Sequence, residues 1–89
     1  MIRLPPNAQA AIRSMHLDLR RRVRTALDGL LQNPDLGKPL VQELAGWWSL
    51  RVGQLRIVYR RVRTGVEVAV IGPRATIYLD AARRLRTRP

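Results

Sequence analysis

Arginines recur within a stretch of alternating apolar and polar residues in the second half of the chain. Arg51 and Arg56 flank the pair Gly53-Gln54, and Arg74 follows Gly72-Pro73. An arginine guanidinium is a planar fork of N–H donors that binds phosphate oxygens in pairs. Three such groups held close together on a rigid sheet would form a clamp for a phosphodiester.

The turn at Gly53-Gln54 sets which residues face one another. Glycine at the first central position favours a two-residue hairpin of the II′ type, and Thr64-Gly65 predicts a second tight turn. Arg51 then lies opposite Arg56. The second turn sets Tyr59 against Val70, Ile57 against Gly72, and Arg56 against Pro73, beside Arg74.

Like charges directly opposite each other on a sheet repel, so this arrangement does not help the fold. A functional reason is therefore expected. The alternative is that each arginine extends into water or meets a carboxylate, for which the candidates are Glu43, Glu67 and Asp80.

Alternation along the first two strands sorts their side chains onto two faces. One face, predicted to pack against helices, carries Trp48, Leu50, Val52, Leu55, Ile57 and Tyr59. The other face, predicted to be uncovered, carries Trp47, Ser49, Arg51, Arg56, Val58 and Arg60. Trp47, Ser49 and Arg60 are therefore candidates for nucleic-acid contact. Trp47 would either stack on a base or be covered by the loop over residues 40–46.

The overall charge points to the same kind of partner. The 89 residues carry 17 Lys and Arg against 6 Asp and Glu, a formal charge of +11, and all the cations except Lys38 are arginine. This balance predicts attraction to a polyanion or to an acidic protein.

Several classes of site are excluded by composition. There is no cysteine, which rules out disulfides and thiolate metal sites, and the one histidine, His16, cannot build a zinc site unaided. No metal or cofactor is expected, and His16 is interpreted as a capping or surface residue.

No apolar run approaches the roughly 18 residues of a membrane span, and residues 1–7 lack a secretory core, so a cytoplasmic location away from membranes is expected.

Periodicity predicts three helices around the alternating stretch. A short first helix follows Pro5-Pro6, a longer one runs from about Leu17 to Asn33, and a last helix or helical tail covers Ala75 to Arg86. Three antiparallel strands are predicted between Trp47 and Ile71, and a fourth strand at Ile2 to Leu4 is left open. The prediction is a single α+β domain over residues 1–89. A helical hairpin packs on a small twisted antiparallel sheet, with the arginine cluster on the uncovered face.

Several short segments, taken in order, resemble the RelE/ParE superfamily of type II toxins. They are Leu44-Ala45-Gly46-Trp47-Trp48-Ser49-Leu50-Arg51-Val52, Leu55-Arg56-Ile57-Val58-Tyr59, Val70-Ile71-Gly72-Pro73-Arg74 and Ile77-Tyr78. Each segment alone is weakly specific, whereas their order is fairly specific. The resemblance covers about Asp18 to Leu85, and family members usually open with a fuller first strand than Ile2 to Leu4 could provide.

For the RelE branch, the resemblance implies cleavage of messenger RNA in the ribosomal A site, without metal, by attack of a ribose 2′-hydroxyl on the adjacent phosphate. The catalytic positions fall on Arg51, Arg56, Arg74 and Tyr78. Arg51 and Arg56 would stabilise the phosphorane, Arg74 would lie near the leaving oxygen, and Tyr78 would stack on or orient a nucleotide. Of the two basic positions that the best-known RNases have before the hairpin, one is Ser49 here. Since arginine keeps its proton in proteins, Tyr78 or the ribosome would have to supply the base.

Two other functions stay open. The ParE branch acts on DNA gyrase and lacks the catalytic set, and a basic RNA-binding module without catalysis would also fit the charge. The joint presence of Arg56, Arg74 and Tyr78 favours RNA. The partners implied are the ribosome, its mRNA, and an acidic antitoxin that is partly disordered and orders on binding to the basic surface.

Overall fold

The computed structural model describes residues 1–73 and 76–86. In chain order the elements are β1 (Ile2–Arg3), α1 (Pro6–Arg13), α2 (Leu17–Gln32), β2 (Lys38–Pro39), β3 (Trp48–Val52), β4 (Leu55–Val62), β5 (Gly65–Pro73) and α3 (Ile77–Arg86). Short 3-10 turns lie at Pro34–Leu36 and Gln42–Leu44. The strands form one sheet in the order β1-β5-β4-β3-β2. The predicted α+β architecture is confirmed.

The sheet has two more strands than the predicted meander, one at each edge. Both are only two residues long: β1 pairs with β5 in parallel, and β2 pairs with β3 antiparallel. The strand left open at the N-terminus thus forms, but only at Ile2–Arg3. Gly65 permits this edge because its φ is +148° and a Cβ there would collide with the backbone of Met1.

The helical hairpin begins and ends as the sequence predicts. Pro6 occupies the first turn of α1, where no N–H donor is needed. Arg20 of α2 donates from Nη2 to the carbonyl oxygens of Arg13 (3.0 Å) and Met15 (3.2 Å), which closes the C-terminal end of α1. His16 stands at the N-cap of α2 with no capping hydrogen bond from its ring and is exposed, which fits a surface role.

The hairpin packs on the predicted face of the sheet. The buried members of this first core are Ala8, Ile12, Val23, Leu27, Leu30, Val52, Ile57, Tyr59, Val66, Val68 and Ile71, with Trp48, Leu50 and Leu55 packed against them. Each large side chain fully buried there, such as Leu30 or Ile57 at 0% exposure, stabilises the fold by about 1.5–3 kcal/mol.

The opposite face was predicted to be uncovered, and that prediction is wrong. Helix α3 lies across it, with Ile77 and Ala81 fully buried against Trp47, Val58 and residues of β5. The assignment of Trp47, Ser49 and Val58 to this face is correct. Their apolar surface, extended by Ala69 and Val70, is wide enough to bury one stripe of a ten-residue helix.

The register of β3 on β4 agrees with the prediction at every pair, including Arg51 opposite Arg56. Gly53 has a φ of +60°, while Gln54 is not in the positive-φ region, as a II′ turn requires.

The predicted register of β4 on β5 is wrong. Arg56 lies opposite Gly72 rather than Pro73, Ile57 opposite Ile71, and Tyr59 opposite Val68. One cause is that the turn uses residues 63 and 64 instead of 64 and 65, so that Val62 pairs with Gly65. The other is a bulge beside Val58 and Tyr59, which leaves residue 69 as the extra residue of β5.

No helix in residues 1–73 and 76–86 is both long enough and apolar enough to cross a membrane. Within the same ranges, no three His, Cys, Asp or Glu side chains are grouped so that they could hold a metal ion.

Candidate functional site

Arg56 of β4 is the centre of the candidate site. Its Nη1 donates to Ser49 Oγ at 3.5 Å, and its Nε is buried without a hydrogen-bond partner in the described part of the chain. A buried donor left without an acceptor costs about 1–3 kcal/mol. Arg56 is therefore placed at some cost to stability, as expected of a residue retained for function.

Arg51 is the cross-strand neighbour of Arg56 on β3. It is exposed, and its Nε donates to the carbonyl oxygen of Gly53 at 3.2 Å, so that its guanidinium leans toward the hairpin turn. The ion pairs found in residues 1–73 and 76–86 involve neither Arg51 nor Arg56. Two arginines thus share one sheet position with no neutralising carboxylate from the described part of the chain, and this position attracts anions.

Ser49 links this arginine pair to helix α3. Its side chain is buried at 3% exposure, and its Oγ lies 3.2 Å from the Tyr78 hydroxyl, where either group could donate. Tyr78 stands in the first turn of α3 and is 37% exposed. The three residues form a continuous polar chain from a guanidinium, through a buried hydroxyl, to a phenol at the surface.

Arg74, predicted as the third cation of the cluster, lies outside the described residues. The strand that leads to it ends at Pro73, which pairs with Leu55 beside Arg56.

Trp47 and Arg60, predicted as nucleic-acid contacts, belong to a different group of side chains. Arg60 Nε donates to Glu67 Oε1 at 2.7 Å, and its guanidinium carbon lies 4.7 Å from the centroid of the Trp47 ring. Trp47 is 7% exposed in the second core. Of the alternatives given for this ring, burial agrees with the structure, although the cover includes α3 as well as the preceding loop. RNA contact by Trp47 or Arg60 stays a prediction.

Of the candidate carboxylates, Glu67 forms ion pairs with arginines. Besides Arg60, its Oε2 lies 3.8 Å from Arg3 Nη1, and the glutamate side chain is only 10% exposed. These two arginines come from β1 and β4 and not from the Arg51–Arg56 pair.

Tyr59 is the buried tyrosine of the first core, and burial raises its pKa above the ordinary value of 10.0. Its hydroxyl donates to the Pro34 carbonyl at 2.7 Å and accepts from the Gly37 N–H at 3.0 Å. These bonds hold the loop after α2 against the sheet. Tyr59 lies three residues after Arg56 on β4 and belongs to the first core, so its role is structural.

A shallow groove of about 400 Å³ opens beside Tyr78. Its lining consists of Val41, Gln42, Glu43, Leu44, Tyr78, Leu79 and Ala82. Gln42 has a φ of +57°, a left-handed conformation that L-residues adopt at a cost of about 1–2 kcal/mol. Strain of this kind is concentrated at functional sites. Sequence reasoning missed this groove because it depends on how α3 lies against the 3-10 turn over Gln42–Leu44.

Comparison with known proteins agrees with the fold and the sequence pattern. Residues 2–78 match the family described as the ParE toxin of type II toxin-antitoxin systems. Among curated proteins, none matches the sequence of this chain significantly.

Solved structures with the same fold include chains from three bacteria. A chain of the toxin-antitoxin complex RelBE2 from Mycobacterium tuberculosis is 30% identical, with a TM-score of 0.72 over 84% of this chain and 91% of that one. A mutant of the E. coli toxin RelE in the free state has a TM-score of 0.75 at 18% identity over 96% of each chain. A chain of the YoeB-YefM complex from Staphylococcus aureus has a TM-score of 0.70 at 19% identity over 80% and 92%. The last two likenesses concern the fold alone.

A helical hairpin on a mainly antiparallel sheet, with a short third helix across the other face, is the RelE-like fold, and the family match together with the 30% identical RelBE2 chain identifies a toxin of a type II toxin-antitoxin system. The chain belongs to the ParE toxin family within the RelE/ParE superfamily, since the family match covers residues 2–78 of 89.

Proposed function

We propose that this toxin is an endoribonuclease that cuts messenger RNA on the ribosome and thereby blocks translation. The observation that carries the proposal is the hydrogen-bonded chain from Arg56 through Ser49 to Tyr78, beside Arg51 and without a carboxylate partner among the described residues. A guanidinium group binds the phosphate of a nucleotide, and a partly exposed aromatic ring stacks on its base. The two kinds of group side by side therefore suit a nucleotide.

The reaction proposed is a transesterification within the RNA strand. The 2′-oxygen of one ribose attacks the adjacent phosphorus, and the bond from phosphorus to the 5′-oxygen of the next nucleotide breaks. The 2′-hydroxyl loses its proton to a base, and the departing 5′-oxygen gains one, which leaves a 2′,3′-cyclic phosphate and a 5′-hydroxyl end. Arg56 and Arg51 stabilise the extra charge on the phosphorane, and we assign Arg74 to the side of the departing oxygen.

Tyr78 is assigned to the nucleotide next to the scissile bond. Its ring borders the groove that includes Leu44 and Leu79, and its hydroxyl is held by Ser49. A base stacked there would also lie near the strained Gln42, whose amide can donate to and accept from a base edge. Ser49 acts as a positioning residue in this arrangement.

The proton acceptor is the part of the reaction that the arginines cannot supply, since a guanidinium keeps its proton in proteins. We therefore assign the ribosome a share of the chemistry, and cleavage of free RNA by the isolated toxin is expected to be slow. Correct geometry alone contributes strongly to such a reaction, and a ribosome-bound codon provides it.

An acidic antitoxin is the second partner proposed. RelBE2 and YoeB-YefM are toxin-antitoxin complexes, and a chain of net charge +11 attracts an acidic protein over long range.

Inhibition of DNA gyrase is a second candidate function. It is favoured by the match to the ParE family and by Ser49, which replaces one of the basic positions of the ribonuclease branch. The Arg56–Ser49–Tyr78 chain favours RNA cleavage over this alternative.

Transcript mapping distinguishes the two functions. The toxin is expressed under tight control, and the 5′ ends of cellular transcripts are mapped shortly after induction. Ribonuclease activity predicts new ends within translated codons, and these ends disappear in an Arg56→Ala, Tyr78→Ala double variant. Intact transcripts together with an induced DNA-damage response would contradict the proposal and indicate gyrase.

A further inference from the structure

A second cationic surface lies where helix α2 meets the β3–β4 turn. It is a groove of about 440 Å³, and its lining consists of Arg21, Arg22, Thr25, Ala26, Arg51, Val52 and Gly53. We call it the α2 groove. Arg51 therefore belongs both to the α2 groove and to the candidate cleavage site.

Two guanidinium groups converge on Gly53 in this groove. Nη1 and Nη2 of Arg22 each lie 3.5 Å from the point where a Cβ of Gly53 would stand, and Arg51 Nε donates to the Gly53 carbonyl. Arg21 borders the same space. The ion pairs of the described residues include none of these three arginines.

The fold does not require arginines at these positions. Helix α2 contributes Val23, Leu27 and Leu30 to the first core, whereas Arg21 and Arg22 are exposed. Like charges gathered around one turn repel each other, so the arrangement favours an anion with several charges. Arginine forks suit phosphate oxygens in particular.

We propose that the α2 groove binds the sugar-phosphate backbone of the RNA strand that continues from the scissile nucleotide. The inference rests on the proposed function, because Arg51 connects the groove to the phosphate held at Arg56. Gly53 lies in the turn that joins β3 to β4, and Arg56 is the second residue of β4, opposite Arg51. The two places are therefore separated by about two strand residues, roughly 7 Å, and a short stretch of backbone spans them. RNA is favoured because Arg51 is shared with the candidate cleavage site. An acidic segment of a partner protein would also be attracted, and the peptide titration below distinguishes it from RNA.

The test measures how salt affects RNA binding. A single-stranded 2′-O-methyl oligoribonucleotide serves as the probe, because it lacks the nucleophile and cannot be cut. Its affinity for the full chain is measured at several salt concentrations for the unchanged protein and for an Arg21→Gln, Arg22→Gln variant. The slope of log K against log salt is negative, and it becomes less steep by about 0.7 for each single-strand phosphate that the protein no longer neutralises. The slope of the variant should therefore be less steep by about 1.4.

The matched control is an Arg24→Gln, Arg63→Gln variant, which loses the same charge. Arg24 lies on α2 but lines a different groove with Ile2 and Leu4, and Arg63 lies in the turn at the far end of β4. Its slope should stay close to that of the unchanged protein. Equal changes in both variants would overturn the inference, because net charge alone would then explain them.

A parallel titration with a polyglutamate peptide separates RNA from an acidic protein. Weaker peptide binding by the Arg21→Gln, Arg22→Gln variant, with an unchanged RNA slope, would assign the groove to an acidic partner and overturn the proposal. Cleavage is judged separately by the transcript mapping. The binding probe cannot be cut, so the two results are independent. Intact transcripts together with the expected change of slope would contradict the proposed ribonuclease activity and would still support RNA binding by the α2 groove.

Discussion

The hydroxyl oxygens of Ser49 and Tyr78 lie 3.2 Å apart and join strand β3 to the first turn of α3. This contact makes the position of Tyr78 depend on how α3 is seated, and α3 is held by the buried Ile77 and Ala81. The same helix therefore closes the second core and carries a residue of the candidate site.

Replacement of Tyr78 separates the function of its ring from that of its hydroxyl. Stacking of a base on an aromatic side chain contributes about 1–3 kcal/mol, so Tyr78→Ala should raise the KM for ribosome-bound mRNA by about 5- to 150-fold. Tyr78→Phe keeps the ring and should leave the KM near that of the unchanged toxin. Steady-state cleavage of a ribosome-bound message measures both. A KM raised equally in the two variants would contradict stacking.

Loss of the Arg56 guanidinium should abolish most of the cleavage. Removal of one donor that stabilises developing charge lowers kcat by about 10²- to 10³-fold, and we expect Arg56→Ala to fall in this range. Arg56→Lys keeps the charge but not the planar fork, so its kcat should lie between those of the unchanged toxin and of Arg56→Ala. Single-turnover cleavage on programmed ribosomes provides the measurement, and wild-type growth arrest by Arg56→Ala would reject the assignment.

Arg61→Ala is the control for this substitution. Arg61 Nη2 lies 2.6 Å from Asp35 Oδ1, but both side chains are more than half exposed, so the pair stabilises the fold by at most about 1 kcal/mol. Its removal should leave cleavage unchanged. Arg56→Ala should also change the melting temperature little. It loses the hydrogen bond to Ser49, but this loss is offset because a buried donor without an acceptor and a like charge opposite Arg51 are removed.

Ser49→Ala tests the link between the arginine pair and α3. The substitution leaves Arg56 Nη1 and the Tyr78 hydroxyl without their shared partner, and the free energy of unfolding should fall by about 1–3 kcal/mol. Urea denaturation measures the change. Ser14→Ala is the comparison, since Ser14 is exposed and its hydroxyl donates to the Ala11 carbonyl of the adjoining helix α1. Its effect should stay within about 0.5 kcal/mol. Equal effects of the two substitutions on the free energy of unfolding would contradict a stabilising role of the buried Ser49 hydroxyl.

The sequence predicted well where local chemistry decides the structure. Gly53 is compatible with the φ of +60° that its turn requires, and this turn sets the pairing of Arg51 with Arg56. Strict alternation then assigns Trp47 and Trp48 to opposite faces, as found.

Prediction from sequence failed where contacts between distant segments determine the structure. Thr64-Gly65 looked like the second turn, but Gly65 is needed in β5 to let the backbone of Met1 approach. The bulge at residue 69 carries no residue signature, so the register beyond it could not be predicted. The Ser49–Tyr78 contact depends on α3 crossing the sheet, and helical spacing alone does not say where a helix will lie.

Tyr59 should make stability depend on pH only in alkaline solution. Burial raises its pKa in the folded state above the value of 10.0 expected when unfolded. The neutral phenol is thus favoured by folding, and its contribution is complete below pH 10 and is lost as pH rises from there through the folded-state pKa. Urea denaturation at increasing pH should show the decline. Tyr59→Phe should be less stable at neutral pH, because the Pro34 carbonyl and the Gly37 N–H lose their partner, and its decline above pH 10 should be weaker. An equally steep decline in both proteins would rule out Tyr59 as the cause.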